Sequence, residues 1–257
     1  MIDFAATYDL GGPPPGETAR SSIVFVHGTR LTRSCWARQM ADLGRRHRVV
    51  ALDLPGHGAM ADVPFTLEGA AQHAARVIEK AAGGSAIVVG LSLGGYVAMD
   101  LAARRPELVR GLVLSGATAE PVGLRATPYL ALAWAMDRFD GPTLDRLTAA
   151  FFRARYEPAI AEPIIAGGFW SVGGAAALRT LLGQRFAPRL AAYPGPTLIL
   201  NGTWDVLFRL GAGAFAGAAR RPTQVRLAAA AHLANLDRPT AFGLAVERFS
   251  ATLDRSS

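Results

Sequence analysis

The pentapeptide Gly90–Gly94 reads Gly-Leu-Ser-Leu-Gly, which places a serine between two glycines in the pattern G-x-S-x-G. A β-branched run, Ile87–Val89, precedes it, and a segment of helical composition, Gly95–Ala103, follows it. This strand–turn–helix context is typical of a nucleophile elbow, in which the serine hydroxyl stands exposed at the end of a strand. Glycine on both sides lets so tight a turn close without a Cβ clash. The pattern therefore predicts Ser92 as a nucleophile.

A serine hydroxyl needs an adjacent base to take its proton at neutral pH. Among the 5 histidines, His232 is the predicted base, because it follows a predicted strand and begins a loop ahead of the last helix. His27 and His57 also lie near strand ends, and His27 is interpreted as a structural residue whose ring bonds nearby loop backbone. His47 and His73 are interpreted as solvent-facing residues of helices.

The base in turn needs a carboxylate, which holds the imidazole in one tautomer and stabilises the imidazolium. Asp205 lies just beyond a predicted strand, in the segment Asn201–Asp205. From there a carboxylate reaches a histidine at the end of the next strand, so Asp205 is the predicted acid. Glu120, which follows another predicted strand, is the alternative.

A tetrahedral intermediate of acyl transfer needs two backbone N–H donors. Leu93, directly after the predicted nucleophile and at the start of a helix, is predicted to supply one of them. Thr29, in the loop after Val26, is predicted to supply the other. Arg30 is unusual so close to an oxyanion site; it either meets a substrate carboxylate or points to solvent, and solvent is favoured.

Short apolar runs alternate with helix-like segments over most of the chain. This alternation predicts an α/β fold with a mostly parallel twisted sheet, helices on both faces and right-handed crossovers. Because sites on such sheets lie at the carboxyl ends of strands, the candidate residues share one edge. The predicted strands are Ala5–Leu10, Ile23–Val26, Val49–Leu52, Ile87–Val89, Leu112–Leu114, Thr197–Leu200 and Gln224–Leu227. The predicted helices of this core are Trp36–Arg46, Leu67–Ala82, Gly95–Ala103, Val206–Ala219 and Thr240–Leu253.

Residues 117–188 interrupt the alternation with several predicted helices and many aromatic side chains. We interpret them as a helical cap inserted into a core of residues 1–116 and 189–257. Gly167–Gly168 and Gly173–Gly174 are interpreted as hinges or helix ends within this cap.

Most aromatic side chains of the cap are expected to pack it onto the core, while a minority lines an apolar pocket above the serine. The predicted substrate-binding residues are Trp134, Phe151 and Trp170 of the cap, together with Arg30.

Composition excludes several functional classes. At 257 residues the chain suits one α/β domain. Its net charge of +7 comes from scattered arginines, and the chain lacks the basic stripe with interleaved aromatics that is typical of nucleic-acid binding. We interpret that charge as a solvated surface, with weak steering of anionic substrates as the alternative. No metal-ligand or phosphate-loop spacing occurs, so no metal or other cofactor is expected.

The single cysteine, Cys35, excludes an internal disulfide and fits a reducing compartment. No charge-free apolar stretch is long enough to span a membrane, and Met1–Phe4 does not resemble the start of a signal peptide. A cytoplasmic protein that binds a small molecule is therefore expected, as a monomer or a homodimer, without a membrane or nucleic-acid partner.

The chain resembles the α/β-hydrolase superfamily over nearly its whole length. The matching blocks occur in the family's order and spacing: Val26–Gly28, Trp36, Asp53–Gly58, Gly90–Gly95, Gly202–Asp205 and His232–Pro239. The order nucleophile, acid, histidine is also the one expected of this family. The resemblance implies an α/β-hydrolase fold, with Ser92 as nucleophile, Asp205 as acid, His232 as base and the block that begins at Asp53 as a structural loop.

Local sequence narrows the reaction. A serine at the elbow, where epoxide hydrolases and haloalkane dehalogenases carry aspartate, argues against those enzymes. The surroundings of Ser92 are similar to small carboxylesterases and oxoadipate enol-lactonases. Carbon–carbon bond hydrolases usually have asparagine before the nucleophile and a glycine-rich loop after His-Gly, where this chain has Leu91 and Thr29–Leu31.

The sequence thus predicts a serine hydrolase that cleaves a small, largely apolar carboxylic ester or lactone through an acyl-enzyme. A carbon–carbon bond hydrolase or lyase on the same residues is one alternative, and a non-catalytic ligand-binding member of the fold is another. Cofactor-free haloperoxidases, perhydrolases and acyltransferases share the same predicted triad.

Overall fold

The structure is a computed structural model that describes residues 3–15, 21–139 and 141–255. Within these residues seven strands form one sheet in the order β1-β3-β2-β4-β5-β6-β7. Only the β1–β3 pairing is antiparallel in this described part of the chain; the other pairings are parallel. The strands are β1 Tyr8–Gly11, β2 Ile23–Val26, β3 Val49–Leu52, β4 Ala86–Leu91, β5 Val109–Ser115, β6 Pro196–Gly202 and β7 Arg221–Leu227. The predicted mostly parallel α/β sheet is confirmed.

The apolar runs of the central strands follow from burial on both faces of the sheet. In β2, Val24 and Val26 contribute to the core on one side, while Ile23 and Phe25 contribute to the core on the other. This alternation is the two-residue period of a strand. β7, in contrast, is largely exposed and contains Pro222, as suits an edge strand.

Helices cover both faces of this sheet. α2 and α3 pack on the side of Val24, and α1 and α11 pack on the side of Phe25. The α-helices are α1 Ala37–Leu43, α2 Leu67–Ala81, α3 Leu93–Arg104, α4 Thr127–Arg138, α5 Gly141–Arg155, α6 Pro158–Ala166, α7 Ser171–Leu181, α8 Ala187–Ala192, α9 Val206–Ala218, α10 Ala234–Asp237 and α11 Pro239–Asp254. Single 3-10 turns occupy Phe4–Thr7, Arg33–Trp36, Gly58–Met60, Pro106–Leu108 and Gly123–Ala126.

The chain between β5 and β6 holds α4 to α8. α4 packs against α7 and α5 against α6, whereas α8 packs against the core helix α3. Gly167 follows the last residue of α6, and Gly173 and Gly174 lie in the first turn of α7. From here on, the word cap denotes α4 to α7 within this segment; α4 and α7 contribute residues to the cavity that contains Ser92.

Two predictions about the first strand and the histidines are wrong. Residues 5–7 of the predicted strand Ala5–Leu10 belong to a 3-10 turn, because the carboxylate of Asp3 accepts the N–H of Ala5 and the hydroxyl of Thr7 donates to a backbone carbonyl.

His47 and His73 are buried rather than solvent-facing. His47 lies between the Ser21 carbonyl and the Glu247 carboxylate, and burial lowers the pKa of His73 to about 4.

Candidate functional site

Ser92 occupies a sharp turn between β4 and α3, with φ 52° and ψ −116°. This positive φ is unfavourable for a residue with a side chain, so neighbouring structure must hold it. The N–H of Ser92 donates to the carbonyl of Ser115 over 2.8 Å. A Cβ on Gly94 would lie 2.2 Å from the carbonyl oxygen of Val26, and one on Gly90 would lie 2.4 Å from the carbonyl oxygen of Gly94. Both glycines of the motif are therefore required by close backbone contacts.

His232 and Asp205 lie in contact at the same edge of the sheet. Asp205 precedes α9 and is buried, whereas the loop after β7 carries His232, whose side chain is 38% exposed. Nδ1 of His232 lies 3.0 Å from Oδ2 of Asp205. Since the carboxylate accepts, Nδ1 carries the proton and Nε2 is left as the basic nitrogen. The Phe208 ring stacks on the imidazole with ring centroids 4.9 Å apart.

Glu120, the alternative acid, is engaged elsewhere. Its two carboxylate oxygens accept the backbone N–H groups of Phe186 and Ala187, each over 2.8 Å. These groups lie at the start of α8, where a short helix leaves N–H donors without intrahelical acceptors. Glu120 therefore stabilises a helix start.

The residues predicted to form an oxyanion hole flank Ser92. Leu93 is the first residue of α3, so its N–H has no acceptor within the helix and lies at the positive end of the helix dipole. The loop after β2 passes close to the serine, since a Cβ on Gly28 would lie 3.4 Å from Cβ of Ser92. Thr29 follows and lines the same cavity as Ser92.

His27 fastens this loop to the next one, which confirms its structural interpretation. Its Nδ1 donates to the carbonyl of Gly28 over 2.8 Å, and its Nε2 accepts the N–H of Leu54 over 2.9 Å. Burial lowers its pKa to about 4, so the ring is neutral at neutral pH.

His57 has a similar part. Its Nδ1 donates to the carbonyl of Pro55 over 3.0 Å, and its Nε2 accepts the N–H of Arg30 over 3.3 Å. Burial and the neighbouring His27 lower its pKa to about 3. The loop that begins at Asp53 is further held by the carboxylate of that residue, which accepts from the Arg33 guanidinium and the backbone N–H of Ala59.

A cavity of about 250 Å³ opens above Ser92 and His232. Of the described residues that line it, none is Asp, Glu, Lys or Arg. Its walls are mostly aliphatic and aromatic, contributed by Leu31, Pro128, Tyr129, Leu132, Leu178, Leu207, Phe208 and Leu233. Such a lining favours a neutral, apolar group next to the serine.

The four predicted substrate-binding residues do not line this cavity. Trp134 and Phe151 are 61% and 54% exposed on the outer faces of their helices. Trp170 lies at the start of α7, with its indole N–H donating to the carbonyl of Gly167 over 3.1 Å. The favoured expectation that Arg30 points to solvent is wrong, because its side chain is only 14% exposed and is bonded to the cap.

The lining residues that the sequence did not predict come largely from α4 and α9, and α7 adds Leu178. Tyr129 and Leu132, three residues apart, share the inner face of α4, whereas Trp134 falls on the other side of the helix. Helical spacing could have grouped Tyr129 with Leu132, but only packing against α7 shows which face turns inward.

Asp237 fastens the loop of His232 to the cap. Its side chain is 2% exposed, and its Oδ2 accepts the N–H of Ala231 over 2.6 Å. Its Oδ1 accepts from the guanidinium of Arg155 over 2.7 Å and from the hydroxyl of Tyr156 over 3.0 Å. The carboxyl end of α5 is therefore bonded to the loop that positions His232.

Among the described residues no cluster of three or more histidine, cysteine or carboxylate side chains could hold a metal ion. In the same part of the chain no helix has the length and apolarity needed to cross a bilayer. Cys35 is buried, and burial raises the pKa of its thiol well above the ordinary range.

The sequence of this chain is similar to a protein-family model and to several known esterases. A family model described as "Alpha/beta hydrolase family" matches residues 23–243. A pimeloyl-[acyl-carrier protein] methyl ester esterase of Neisseria meningitidis is 34% identical over 134 residues, 52% of this chain and 48% of the relative, so the match spans about half the length of that relative. An esterase of the same description from Chromobacterium violaceum is 29% identical over 203 residues, 74% of this chain and 78% of the relative.

A solved structure shows the same fold over nearly the whole chain. The enol-lactonase from Burkholderia xenovorans superimposes with a TM-score of 0.75 at 23% sequence identity, covering 94% of this chain and 95% of that chain. The identity is low enough that the likeness establishes fold alone. The fold and family that the sequence predicted are confirmed.

Proposed function

Because this chain belongs to the alpha/beta hydrolase family, we propose that it is a serine hydrolase that cleaves a small, largely apolar carboxylic ester or lactone. The observation that carries the proposal is the meeting of Ser92 and the His232–Asp205 pair at one apolar cavity. The esterase descriptions of its relatives support the ester class.

The proposed reaction begins with the Ser92 hydroxyl, which adds to the substrate carbonyl while its proton passes to Nε2 of His232. Asp205 stabilises the imidazolium that forms. The backbone N–H groups of Leu93 and Thr29 hold the oxyanion. His232 then protonates the departing alcohol, which leaves an acyl group on Ser92.

The second half of the cycle uses water as the nucleophile. His232 takes a proton from the water as it adds to the acyl carbonyl, and returns that proton to Ser92 as the acid departs. In a lactone the alcohol and the acid belong to one molecule, so the same steps open the ring. The cavity favours an aliphatic acyl group, and methanol, the leaving alcohol of the methyl esters named for the relatives, is small enough for it.

The test compares wild type, Ser92→Ala and Ser85→Ala on p-nitrophenyl esters from acetate to octanoate and on a set of lactones. Ser85 is an exposed serine in the turn before β4 and serves as the matched control. Turnover in Ser92→Ala should fall by roughly 10³-fold or more, while Ser85→Ala keeps the wild-type rate. Ester turnover that survives in purified Ser92→Ala would overturn the proposal, and cleavage of a vinylogous diketone without ester turnover would favour carbon–carbon chemistry.

A further inference from the structure

We propose that Arg30 is a positioning residue through which the cap fixes the oxyanion loop, Gly28–Leu31. The inference rests on the proposed function and names a residue that the reaction described above does not use. Arg30 directly follows Thr29, the proposed oxyanion donor, and its side chain points away from the cavity into the cap.

The guanidinium of Arg30 uses all three of its nitrogens on cap residues. Nη2 lies 3.0 Å from the carboxylate of Asp145, Nη1 donates to the hydroxyl of Thr148 over 3.1 Å, and Nε donates to the hydroxyl of Ser171 over 3.0 Å. Phe169 adds its ring, whose centroid lies 5.5 Å from Cζ. A planar fork with donors in fixed directions suits this set of partners on two cap helices, and a lysine ammonium could not match it.

The backbone of Arg30 is also held from both sides. Its φ of 63° lies in the left-handed region, which is unfavourable for a residue other than glycine. Its N–H donates to Nε2 of His57 over 3.3 Å, and its carbonyl accepts the N–H of Trp170 over 3.0 Å. The Trp170 contact comes from the residue that precedes α7. The shape of the loop next to Thr29 therefore depends on a bond supplied by the cap.

Gly173 and Gly174 allow the first turn of α7 to lie very close to the oxyanion loop and to the loop of Gly56. A Cβ on Gly174 would lie 2.8 Å from the hydroxyl oxygen of Thr29 and 3.0 Å from Cγ of Arg30. A Cβ on Gly173 would lie 1.9 Å from the carbonyl oxygen of Gly56. These glycines let the first turn of α7 rest directly on the two loops beside the serine, so a shift of α7 must move Thr29 or break these contacts.

The consequence for catalysis concerns the transition state more than substrate binding. The N–H of Thr29 bonds an oxygen whose negative charge develops only as Ser92 adds to the carbonyl. A small displacement of this donor weakens transition-state stabilisation and leaves the apolar contacts of the substrate in place. Loss of the cap contacts of Arg30 is expected to lower kcat with little change in KM.

The experiment removes a cap partner of Arg30 without touching the cavity. Asp145→Ala removes a carboxylate that is 40% exposed, and Glu162→Ala, which removes the exposed cap carboxylate paired with Arg153, is the matched control. We expect kcat on a p-nitrophenyl ester to fall about 10-fold in Asp145→Ala, with KM within about 2-fold of wild type. Asp145→Glu should recover part of the loss, and Glu162→Ala should match wild type.

A second readout does not depend on turnover. Amide hydrogen exchange of the peptide that contains Gly28–Leu31 should be faster in Asp145→Ala than in wild type and unchanged in Glu162→Ala. An unchanged kcat or unchanged exchange in Asp145→Ala would overturn the positioning role, as would an equal loss of kcat in the control. Failure of the proposed function is separate, because Ser92→Ala decides it without reference to Asp145.

Discussion

The imidazole of His232 and the carboxylate of Asp205 are joined by a 3.0 Å hydrogen bond between the loops that follow the neighbouring strands β7 and β6. The bond fixes the proton on Nδ1. The Phe208 ring stacks on the imidazole and restricts the rotation of its plane. The pair is thus ordered before any substrate enters the cavity.

Asp205→Asn is expected to lower kcat by about 10⁴-fold, because the amide group favours the tautomer with the proton on Nε2, which cannot accept a proton from Ser92. The fold should persist, since asparagine is nearly isosteric with aspartate. Steady-state turnover of a p-nitrophenyl ester measures the first effect and circular dichroism the second. Turnover within 10-fold of wild type would remove Asp205 from the proposed mechanism.

Glu120→Gln separates the two candidate acids. Its carboxylate caps α8 through two backbone N–H groups, so the substitution should lower the free energy of unfolding by about 1 kcal/mol and leave kcat within a few-fold of wild type. Urea unfolding and ester turnover on the same preparation provide both values. If kcat collapsed while stability was retained, Glu120 would be the acid instead.

Gly94→Ala is expected to destabilise the protein by roughly 3 kcal/mol or more, because its Cβ would lie 2.2 Å from a backbone carbonyl oxygen. Gly213→Ala, in the interior of α9 with no heavy atom within 4 Å of the added Cβ, is the control. That variant should gain about 0.5–1 kcal/mol, since alanine favours the helix. Denaturant midpoints of the two variants should therefore move in opposite directions.

Leu132→Trp should reduce the length of acyl chain that the enzyme accepts, because Leu132 lines the cavity from α4 and tryptophan fills part of its volume of about 250 Å³. Leu130→Trp, on the same helix but outside the cavity lining, is the matched control. The measurement is the ratio of kcat/KM for octanoyl and acetyl esters. This ratio should fall in Leu132→Trp and stay at its wild-type value in Leu130→Trp.

Stability should decline with acidification before carboxylates titrate. Burial places the pKa of His27 at about 4 and that of His57 at about 3, against 6.5 for an exposed histidine. Below pH 6.5 the unfolded chain therefore binds more protons than the folded one, so the stability present above pH 6.5 is lost as pH falls toward the folded pKa values. At pH 5 this amounts to about 2 kcal/mol for each ring.

Urea unfolding at pH 7, 6 and 5 tests this dependence, in a range where most carboxylates stay ionised. His57→Gln keeps an acceptor for the N–H of Arg30 and removes one titrating ring. Its stability should fall less steeply than that of wild type between pH 7 and pH 5. Equal slopes for the two proteins would show that His57 is not held neutral by the fold.

The core strands were predictable because burial on both faces leaves a continuous apolar run. β2 and β3 have the predicted bounds for this reason. The error at Ala5–Thr7 has a local cause: the side chains of Asp3 and Thr7 bond nearby backbone and so favour a turn over the strand. The pattern of apolar residues does not reveal such side-chain to backbone hydrogen bonds.

The same distinction applies to the candidate site, where positions set by sheet topology were predictable and positions set by helix packing were not. Topology brings residues at strand ends to one edge, so the sequence could place His232 near Asp205. The cavity walls depend on how cap helices face one another. The size of Trp134 says nothing about its direction, so its position outside the cavity lining was not predictable. The cap contacts of Arg30 were not predictable for a related reason, since its partners Asp145 and Ser171 lie more than a hundred residues away along the chain.

Helix α5 is bonded near its start to Arg30 and at its end to Asp237, and so to both loops that flank the serine. The cap is consequently not an exchangeable module. A chimera that receives the cap of a relative would inherit a new cavity and lose the partners of two anchoring side chains, so substrate range and turnover would change together. A redesign of specificity in this protein should therefore retain Asp145 and Arg155 in any new cap, or change only residues on the inner face of α4.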